Sequence, residues 1–556
     1  MIRLLSVRLL HAVMVALLVG ALTFLSVILQ RGANVSPDES LPGLFFRWMT
    51  LMIFDPGVSM ISGESVADSV AQGLGHSITL AIGAMLISLI IGPALGIMAG
   101  LRPGALVDRT LLFLSTATRA TAHFVLGIIF LMIFAVALGV LPPGGHGTVA
   151  HSILPIATLA LGLAAVSAPV ARDATRAIVS SPHYASERRA GLSAFGALRQ
   201  QGLRTILAPL VSGLGVQWVS LIEGVIVVEM LFSWPGIGRE LVHAIVQRDV
   251  PMIQGTALAI GLMFVMLKLL GDLASHRFLP EPIMNPQIAV QSKPPAMHAL
   301  SRIVGRSILA GLVVFAVLVP FIWEVGIADQ DFAMILSGPV QAHPLGTDSL
   351  GRDMLARLSA AVRLALGFAL VTVITAAVPG ILLGILAACK GGVIDKCLGL
   401  LADMLLVLPR LLLILLIVAI MPGALLTVYG AIAVVLWTEY FCMTRALCRT
   451  VLASPAVAES RLKGLGLLYV LRRHVWPELS AMLMTLSTFG TALTIMLLAT
   501  LGFLGLGVSA PAAEPGLMIT ELLRYYAAAP LSLALPMVAL FLMTFSLMLI
   551  GRAPRR

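Results

Sequence analysis

The chain has 556 residues, of which 59% are hydrophobic and 11% are charged. Soluble domains usually hold about 45–50% apolar and about 25% charged residues, so the composition excludes a soluble globular protein. It predicts an all-α polytopic membrane protein, because helices satisfy their own backbone groups in lipid. The net charge of +10 is what basic cytoplasmic loops supply, and we expect no nucleic-acid partner.

The first half contains six apolar runs long enough to cross a bilayer, which takes about 20 helical residues. They lie at about 9–29, 77–100, 111–140, 152–171, 206–232 and 253–275. The first run follows Arg3 and Arg8, and no small-residue cleavage site comes after it. We therefore expect an uncleaved span with a cytoplasmic N-terminus rather than a signal peptide.

Basic residues are unevenly distributed between the loops of this half. With the N-terminus inside, the cytoplasmic segments hold Arg3, Arg8, Arg102, Arg109, the six arginines from Arg172 to Arg204, and Arg277, whereas the external segments hold Arg31, Arg47, Arg239 and Arg248. The positive-inside rule therefore places the loop at about 172–205 in the cytoplasm.

Residues 279–301 interrupt the apolar pattern with five prolines. This composition predicts a semi-extended cytoplasmic linker between residues 1–278 and 302–556. The second half again has six apolar runs, at about 303–323, 361–388, 397–421, 425–443, 481–503 and 531–550. The predicted architecture is about 12 transmembrane helices in two parallel six-helix repeats, with both termini in the cytoplasm.

One basic stretch occurs in both halves, between the fourth and fifth runs. Residues 172–199 and 445–472 align without a gap at a shift of 273 positions. The shift superimposes Arg172 on Arg445, Ser181-Pro182 on Ser454-Pro455 and Gly191-Leu192 on Gly464-Leu465. An arginine in the middle of a bilayer costs roughly 2.5–3.5 kcal/mol, so both copies must lie outside the hydrocarbon.

Each copy contains the start and stop signals of a short helix. Serine caps free backbone amides, proline fits the first helical position, and a glycine nine residues later can end the helix in a left-handed turn. A helix this short is unstable alone in water, so we expect it to lie in a groove of this chain or of a partner. For a single copy we would favour an amphipathic helix on the membrane surface; two equivalent copies favour a paired partner instead.

The repeated stretch, with Pro209 after Gly191 and with Arg473-His474 and Pro477 after Gly464, resembles the EAA loop of ABC importer permeases. The letters differ: Ala185-Ser186-Glu187 and Ala458-Glu459-Ser460 stand there. Residues 232–255 (FSWPGIGRELVHAIVQRDVPMIQG) look like the B-type permease of the dipeptide/oligopeptide/nickel branch, and residues 343–358 (HPLGTDSLGRDMLARL) and 502–511 (GFLGLGVSAP) look like its C-type partner. The resemblance implies a type I ABC importer permease architecture, with a B-type half fused to a C-type half.

The resemblance implies two groups of site residues. Those of the coupling helices, which would dock ATPase subunits, are Tyr184, Ala185, Ser186, Glu187, Arg188, Gly191 and Leu192 in the first loop, and Ala458, Glu459, Ser460, Arg461, Gly464 and Leu465 in the second loop, at about 445–478. Those that would meet a binding protein at the external face are Trp234, Pro235, Gly236, Arg248, Asp249, Gly346, Thr347, Asp348, Gly351, Arg352 and Asp353.

The chain has no G-x-x-x-x-G-K-[ST] phosphate loop, so we expect neither catalytic residues nor a bound metal or cofactor. ATP and Mg²⁺ would be bound by separate ABC ATPase subunits, either two copies or a heterodimer. The resemblance also implies an extracytoplasmic substrate-binding protein and a bacterial cytoplasmic (inner) membrane. Short peptides are the default cargo of this branch, and nickel or a metal–metallophore complex is the alternative.

Other features leave alternatives open. A major-facilitator-type carrier also has twelve spans, and GALVDR (104–109) and GGVIDK (391–396) resemble its loop motif. For His146 and His151 we favour solvated loop histidines over metal ligands. Charged residues in or beside spans could pair, snorkel or line a pathway; they are Glu223, Glu229, Lys268, Asp403, Arg410 and Glu439. We expect Cys389, Cys397, Cys442 and Cys448 to be reduced packing residues.

Overall fold

The structure is a computed structural model, and it describes residues 2–31, 41–278, 297–421 and 423–551. Regular structure in this part is helical, with only isolated bridges such as Val58–Ser65 besides. The chain divides into two compact units, Met1–Lys293 and Pro294–Arg556.

The first unit consists of helices joined by short connections. They are α1 (Ile2–Arg31), α2 (Leu41–Phe54), α3 (Val66–Leu101), α4 (Leu106–Ala120), α5 (His123–Phe130), α6 (Val149–Val179), α7 (Pro182–Arg189), α8 (Ala194–Gln201), α9 (Leu203–Ser212), α10 (Leu214–Leu231), α11 (Ile237–Gln247) and α12 (Val250–Phe278). A π-helical segment, Leu131–Ala137, continues α5.

The second unit repeats this plan. Its helices are α13 (Met297–Ile322), α14 (Met354–Lys390), α15 (Gly392–Leu406), α16 (Arg410–Ile420), α17 (Leu425–Leu452), α18 (Pro455–Leu462), α19 (Leu467–Val470), α20 (Trp476–Phe503), α21 (Pro515–Leu523) and α22 (Pro530–Ile550). A π-helical segment, Leu471–Val475, joins α19 to α20, and a 3-10 turn, Phe332–Met334, lies between α13 and α14.

The prediction of an all-α protein with about twelve spans is confirmed. Among the described residues, ten helices are long and apolar enough to cross a membrane, and two bent helix pairs raise the number to twelve. The third apolar run of each half forms two half-helices rather than one straight helix. The chain bends by 110° between α4 and α5 and by 90° between α15 and α16. In the second unit Pro409 stands at the break, where it restricts the preceding residue and cannot donate a backbone hydrogen bond.

The second and fourth spans of each unit pack closely because small residues face each other. A methyl group added to Gly96 of α3 would lie 2.3 Å from the carbonyl oxygen of Ala168 in α6. In the second unit, one added to Gly384 of α14 would lie 3.0 Å from the carbonyl oxygen of Phe441 in α17. Close backbone approach through small residues is the usual way in which membrane helices associate. Each pair forms a rigid base for the loop that follows the fourth span.

Two further predictions, the linker and the packing of the cysteines, agree with the structure only in part. Residues 279–296 of the predicted linker lie outside the described residues, and α13 already begins at Met297. All four cysteines are free. Cys448 is buried against Val475 and Leu479, as expected of a packing residue, but Cys397 is exposed, so the packing prediction is wrong for it.

Candidate functional site

The first copy of the repeat forms the predicted short helix, α7, directly after the fourth span. The hydroxyl oxygen of Ser181 accepts a hydrogen bond from the Tyr184 N–H at 3.3 Å, and Pro182 occupies the first turn. The serine therefore satisfies a free amide, and the proline loses no hydrogen bond. Beyond α7, Leu198 and Ile206 are buried against Ala171 of α6, which packs α8 and α9 back onto the fourth span.

The second copy forms the equivalent helix, α18, and both helices have eight residues. Ser454 is the N-terminal cap residue, but its side chain makes no capping hydrogen bond. The predicted serine cap is therefore wrong for this copy. Instead, α18 is held through its inner face: Val457 is fully buried, and Ser460 Oγ lies 2.9 Å from His474 Nε2 in the segment leading to α20.

Both short helices end in the same glycine turn, as the spacing predicts. Two N–H groups beyond each helix bond back to carbonyls of its last turn: Gly191 to Arg188 (3.3 Å), Leu192 to Glu187 (3.2 Å), Gly464 to Arg461 (2.9 Å) and Leu465 to Ser460 (3.1 Å). This pattern is a Schellman motif, which needs a left-handed residue at the glycine. The φ angles are +90° at Gly191 and +74° at Gly464.

Most of the candidate docking residues are open to a partner. The exposed ones are Ser186, Arg188, Gly191, Leu192, Ala458, Glu459, Arg461, Gly464 and Leu465; Ala185 and Glu187 are half-buried. Tyr184 and Ser460 are buried instead. The Tyr184 hydroxyl donates to the Ala194 carbonyl at 3.5 Å, and Ser460 contacts His474. These two side chains therefore hold their helices in place and do not form part of the outer surface.

The two exposed surfaces differ chemically. Leu462 and Leu468 of the second copy are 88% and 79% exposed, whereas Arg189 and Phe195 occupy the equivalent positions in the first. Glu459 and Lys463 also form an exposed ion pair at 2.6 Å. Serine and alanine stand at the matching positions of the first copy and cannot form such a pair. A partner would therefore meet a leucine and an ion pair at α18, where α7 offers an arginine and two small uncharged residues.

An aspartate fastens the start of the repeat in the first unit. Asp108, in the first turn of α4, accepts hydrogen bonds from Nε and Nη2 of Arg172, the latter at 3.1 Å, and from the Gly104 N–H at 2.8 Å. The two side chains are almost fully buried. The GALVDR segment therefore ties the third span to the end of the fourth span, immediately before α7.

The second unit contains the same connection. Asp395, in the first turn of α15, pairs with Nε of Arg445 at 2.6 Å and also with Arg449. Arg445 is the residue that aligns with Arg172, and Asp395 belongs to the GGVIDK segment. The two segments that resemble a carrier motif thus share one structural role here: they connect the third span to the helix that leads into the repeat.

The candidate external residues of the first unit lie at the other end of α10, and four of the five have little exposed surface. Trp234, Gly236 and Asp249 are buried, Pro235 is half-buried, and Arg248 is exposed. The Trp234 indole N–H donates to the His76 carbonyl at 3.3 Å. Asp249 accepts hydrogen bonds from the Ser59 hydroxyl at 2.5 Å and the Met60 N–H at 3.3 Å. Most of these residues therefore order the loop, and Arg248 presents its side chain outward.

In the second unit, all six candidate external residues are buried: Gly346, Thr347, Asp348, Gly351, Arg352 and Asp353. The expectation that these side chains touch a partner is therefore corrected. Asp348 pairs with Arg352 Nε at 2.6 Å and with Arg357, and both arginines also bind Glu521 of α21.

The second acidic residue among these six candidates, Asp353, contacts α14. Asp353 caps the helix through the Ala356 N–H at 2.7 Å and contacts His343 Nδ1 at 2.8 Å. The motif thus folds into a charged network that joins the loop to α14 and α21. The residues that a partner could contact in this region are exposed neighbours such as Leu350 and Phe332.

A structural role for two buried glutamates, Glu229 and Glu514, was not predicted from the sequence. Glu229 accepts the backbone N–H groups of Gly238 and Arg239 at 2.8 and 3.1 Å, at the start of α11. Glu514 accepts those of Gly516 and Leu517 at 2.9 and 2.8 Å, at the start of α21. Burial raises the pKa of Glu514 to about 7. The Pro-Gly pair at the start of each short helix, at 235–236 and 515–516, was the signal that could have predicted a cap there.

The two histidines considered as metal ligands lie just before α6 (His146) and in its first turn (His151). His146 packs edge-on against His76 and Trp234, with ring centres 4.5 and 4.9 Å apart. His151 Nδ1 lies 2.8 Å from the Thr148 hydroxyl. Within the described residues, no group of three or more His, Cys, Asp or Glu side chains could hold a metal ion. His146 remains exposed, as expected of a solvated loop histidine, and it also contacts the two neighbouring rings.

Two six-span units, each carrying a short exposed helix after its fourth span, define a duplicated polytopic membrane protein. The chain belongs to the family of binding-protein-dependent transport system inner membrane components, which matches residues 92–281 and 380–553. One match lies in each compact unit. The chain is therefore a multi-pass inner-membrane protein and an ABC importer permease with two permease repeats, as the resemblance implied.

The relatives of this chain correspond to less than half of its length. The glutathione transport system permease protein GsiC of Pectobacterium atrosepticum is 33% identical over 249 residues, which cover 45% of this chain and 81% of that protein. GsiC of Escherichia coli K12 is 34% identical over 236 residues, which cover 42% and 77% respectively. A single relative thus matches a stretch about as long as one unit.

Proposed function

We propose that this chain supplies both permease units of an importer that moves short peptides, including glutathione-type tripeptides, into the cell at the expense of ATP. The observation that carries the proposal is the duplicated coupling helix, with one exposed copy in each family-matched unit. The glutathione named for the relatives supports a small peptide-like cargo. ATP and Mg²⁺ would be bound by two separate ATPase subunits, identical or different, and each would receive one coupling helix.

In the proposed mechanism, ATP-driven closure of the two ATPase subunits moves α7 and α18. The movement passes to the spans through the ion pairs Asp108–Arg172 and Asp395–Arg445, because each joins the end of the fourth span to the start of the third. Transport then follows alternating access, in which ATP favours one state of the pathway and hydrolysis restores the other.

On the opposite face, a substrate-binding protein would deliver the cargo. Arg248 and the exposed apolar residues near the second-unit network, such as Leu350 and Phe332, offer contact points. The buried residues beneath them keep these loops in one conformation. Rigid loops favour docking because less conformational freedom is lost on binding.

The proposed orientation, with both termini in the cytoplasm, is tested by labelling with a membrane-impermeant maleimide. Ser186 and Ser233 are exposed and lie at opposite ends of the spans. In a background without native cysteines, Ser186→Cys should react only from the cytoplasmic side and Ser233→Cys only from the outside. The reverse pattern would contradict the orientation.

Function is tested in proteoliposomes that contain the chain and its cognate ATPases, with the cognate binding protein outside. Uptake of labelled glutathione or alanyl-alanine should require ATP inside and the binding protein outside. Uptake driven by a proton gradient without ATP would refute the proposal. ATP-dependent uptake of nickel or a metal–metallophore complex, and of neither peptide, would retain the importer but replace its cargo.

A further inference from the structure

A basic residue stands at the break in the third span of each unit. His123 is the first residue of α5, and Arg410 is the first residue of α16. Each lies 15 positions after the aspartate that fastens the repeat, Asp108 in the first unit and Asp395 in the second. The same spacing in both repeats indicates a duplicated feature of the broken span.

Each basic residue interacts with a glutamate on a neighbouring span. In the second unit, Arg410 Nη1 lies 3.1 Å from Glu439 Oε1 of α17. In the first, Glu223 of α10 interacts electrostatically with the His123 ring. Glu439 lies near the middle of the 28-residue α17, about 20 Å from either end. Arg445, which belongs to the repeat outside the hydrocarbon, follows Glu439 by six residues, or about 9 Å along the helix, so the Arg410–Glu439 pair lies inside the span toward its cytoplasmic end.

The pair is not fully buried, although it lies at this depth. The side chains of Arg410 and Glu439 retain 32% and 29% of their exposure. Charges that face hydrocarbon are costly, and intramembrane charges almost always face the protein interior or a water-filled cavity. The exposure of this pair therefore favours an aqueous path over lipid as its surroundings. The recess around them is lined by Leu405, Leu408, Leu413, Val435 and Thr438.

We propose that Arg410 and Glu439 form a binding site for zwitterionic cargo within the translocation pathway; this inference rests on the proposed import function. A carboxylate group of the cargo would bind the guanidinium of Arg410, which suits two parallel hydrogen bonds. An ammonium group would bind the carboxylate of Glu439. The apolar wall and Thr438 would contact the uncharged part of the cargo.

An ion pair in the wall suits this class of cargo for an electrostatic reason. A charge buried without a partner is strongly unfavourable. When a zwitterion inserts between Arg410 and Glu439, each protein charge exchanges one partner for another of the same sign, and none is left uncompensated. When the cargo leaves, the two side chains pair again. A cargo with a single charge would leave one of the two residues unpaired, so the site selects compounds that carry both charges.

The test compares the wild type with the double variant Arg410→Met/Glu439→Met. Replacing both charges together by apolar residues of similar size leaves no unpaired charge, and such replacements are often neutral or stabilising. The probes are glutathione, which has an ammonium group, and N-acetylglutathione, which lacks it. Uptake of each is measured with and without ATP in the reconstituted complex, together with ATP hydrolysis stimulated by the binding protein.

We expect the double variant to import glutathione at least about tenfold more slowly, because two charge-assisted contacts are lost. Its stimulated ATP hydrolysis should stay within about twofold of the wild type, since α7 and α18 are unchanged. The single variant Glu439→Gln should reduce uptake of glutathione more than that of N-acetylglutathione. A general loss of folding would reduce both probes and ATP hydrolysis together.

Two results would overturn the site. One is import of glutathione by the double variant at the wild-type rate, which would make the pair purely structural. The other is an equal effect of Glu439→Gln on both probes. In either case ATP-dependent import by the wild type would leave the proposed function standing. Wild-type hydrolysis that does not respond to the binding protein would instead contradict the proposed function itself.

Discussion

Replacing Gly464 with alanine tests whether the shape of the second coupling helix matters for transport. Gly464 has a φ of +74°, and no heavy atom lies within 4 Å of where a methyl group would be added. The substitution therefore acts only through the backbone. An L-residue in the left-handed region costs roughly 1–2 kcal/mol, which corresponds to about a 5- to 30-fold loss of the native turn relative to its alternatives.

Gly466 provides a matched control two residues away. It is also exposed and also has no heavy atom within 4 Å of an added methyl group, but its φ is −67°. Alanine at this position fits without strain and should leave transport within about twofold of the wild type. Asparagine at Gly464 should be intermediate, because asparagine tolerates the left-handed conformation better than alanine does.

The assay is binding-protein-stimulated ATP hydrolysis and cargo uptake at limiting ATPase concentration. Gly464→Ala should raise the concentration of ATPase needed for half-maximal uptake about 5- to 30-fold, with normal insertion into the membrane. Equal behaviour of Gly464→Ala and Gly466→Ala would refute the reasoning. An asparagine variant that needs a higher ATPase concentration than the alanine variant would also refute it.

Three further predictions concern the charged residues. Asp108→Asn leaves Arg172 without its buried anion and should lower the free energy of unfolding by roughly 3–5 kcal/mol. The control is Asp173→Asn, at a carboxylate whose side chain is 69% exposed, which should have little effect. Thermal unfolding in detergent measures both variants, and equal losses of stability would contradict the role of Asp108. Asp348→Asn should cost a similar roughly 3–5 kcal/mol because Arg352 and Arg357 lose a shared partner, with exposed Asp329→Asn as the control in the same assay. Because burial raises the pKa of Glu514 from 4.5 to about 7, its contribution to stability is complete below about pH 4.5 and is lost as the pH rises through 7. The unfolding temperature should fall over this interval in the wild type and fall less steeply in Glu514→Gln, and identical slopes would exclude this assignment.

The elements that could be predicted from the sequence are those set by local chemistry. Apolar runs long enough to span the bilayer located the helices, and the Ser-Pro and glycine signals located α7 and α18, because caps and left-handed turns depend on a few adjacent residues. The bend at Pro409 carried a signal too, yet the apolar composition continues across it from α15 into α16. Hydropathy therefore cannot distinguish a broken span from a continuous one.

The errors at the external face have a different cause. Asp348 and Arg352 are charged residues in a loop, and charged loop residues are usually exposed. Here they are buried because Arg357 and Glu521 supply opposite charges from α14 and α21. Glu521 is far away in the sequence, so only the folded unit brings these partners together. The partners of Glu514 are backbone amides, and those of Glu229 are backbone amides and the hydroxyl of distant Ser77, which side-chain patterns in the sequence do not show.

Fusion of the two permease units in one chain permits the differences between α7 and α18. If identical units assembled from separate chains, both docking surfaces would have the same sequence, and any change in one would appear in the other. In a single chain the two units always occur together, so Leu462 can be exposed on α18 while Arg189 stands at the matching position of α7. Such surfaces bind one partner with unequal strength or two partners with different complementary surfaces. A heterodimeric ATPase follows from the second arrangement, and exposed Leu462 predicts an apolar contact on the subunit that binds α18.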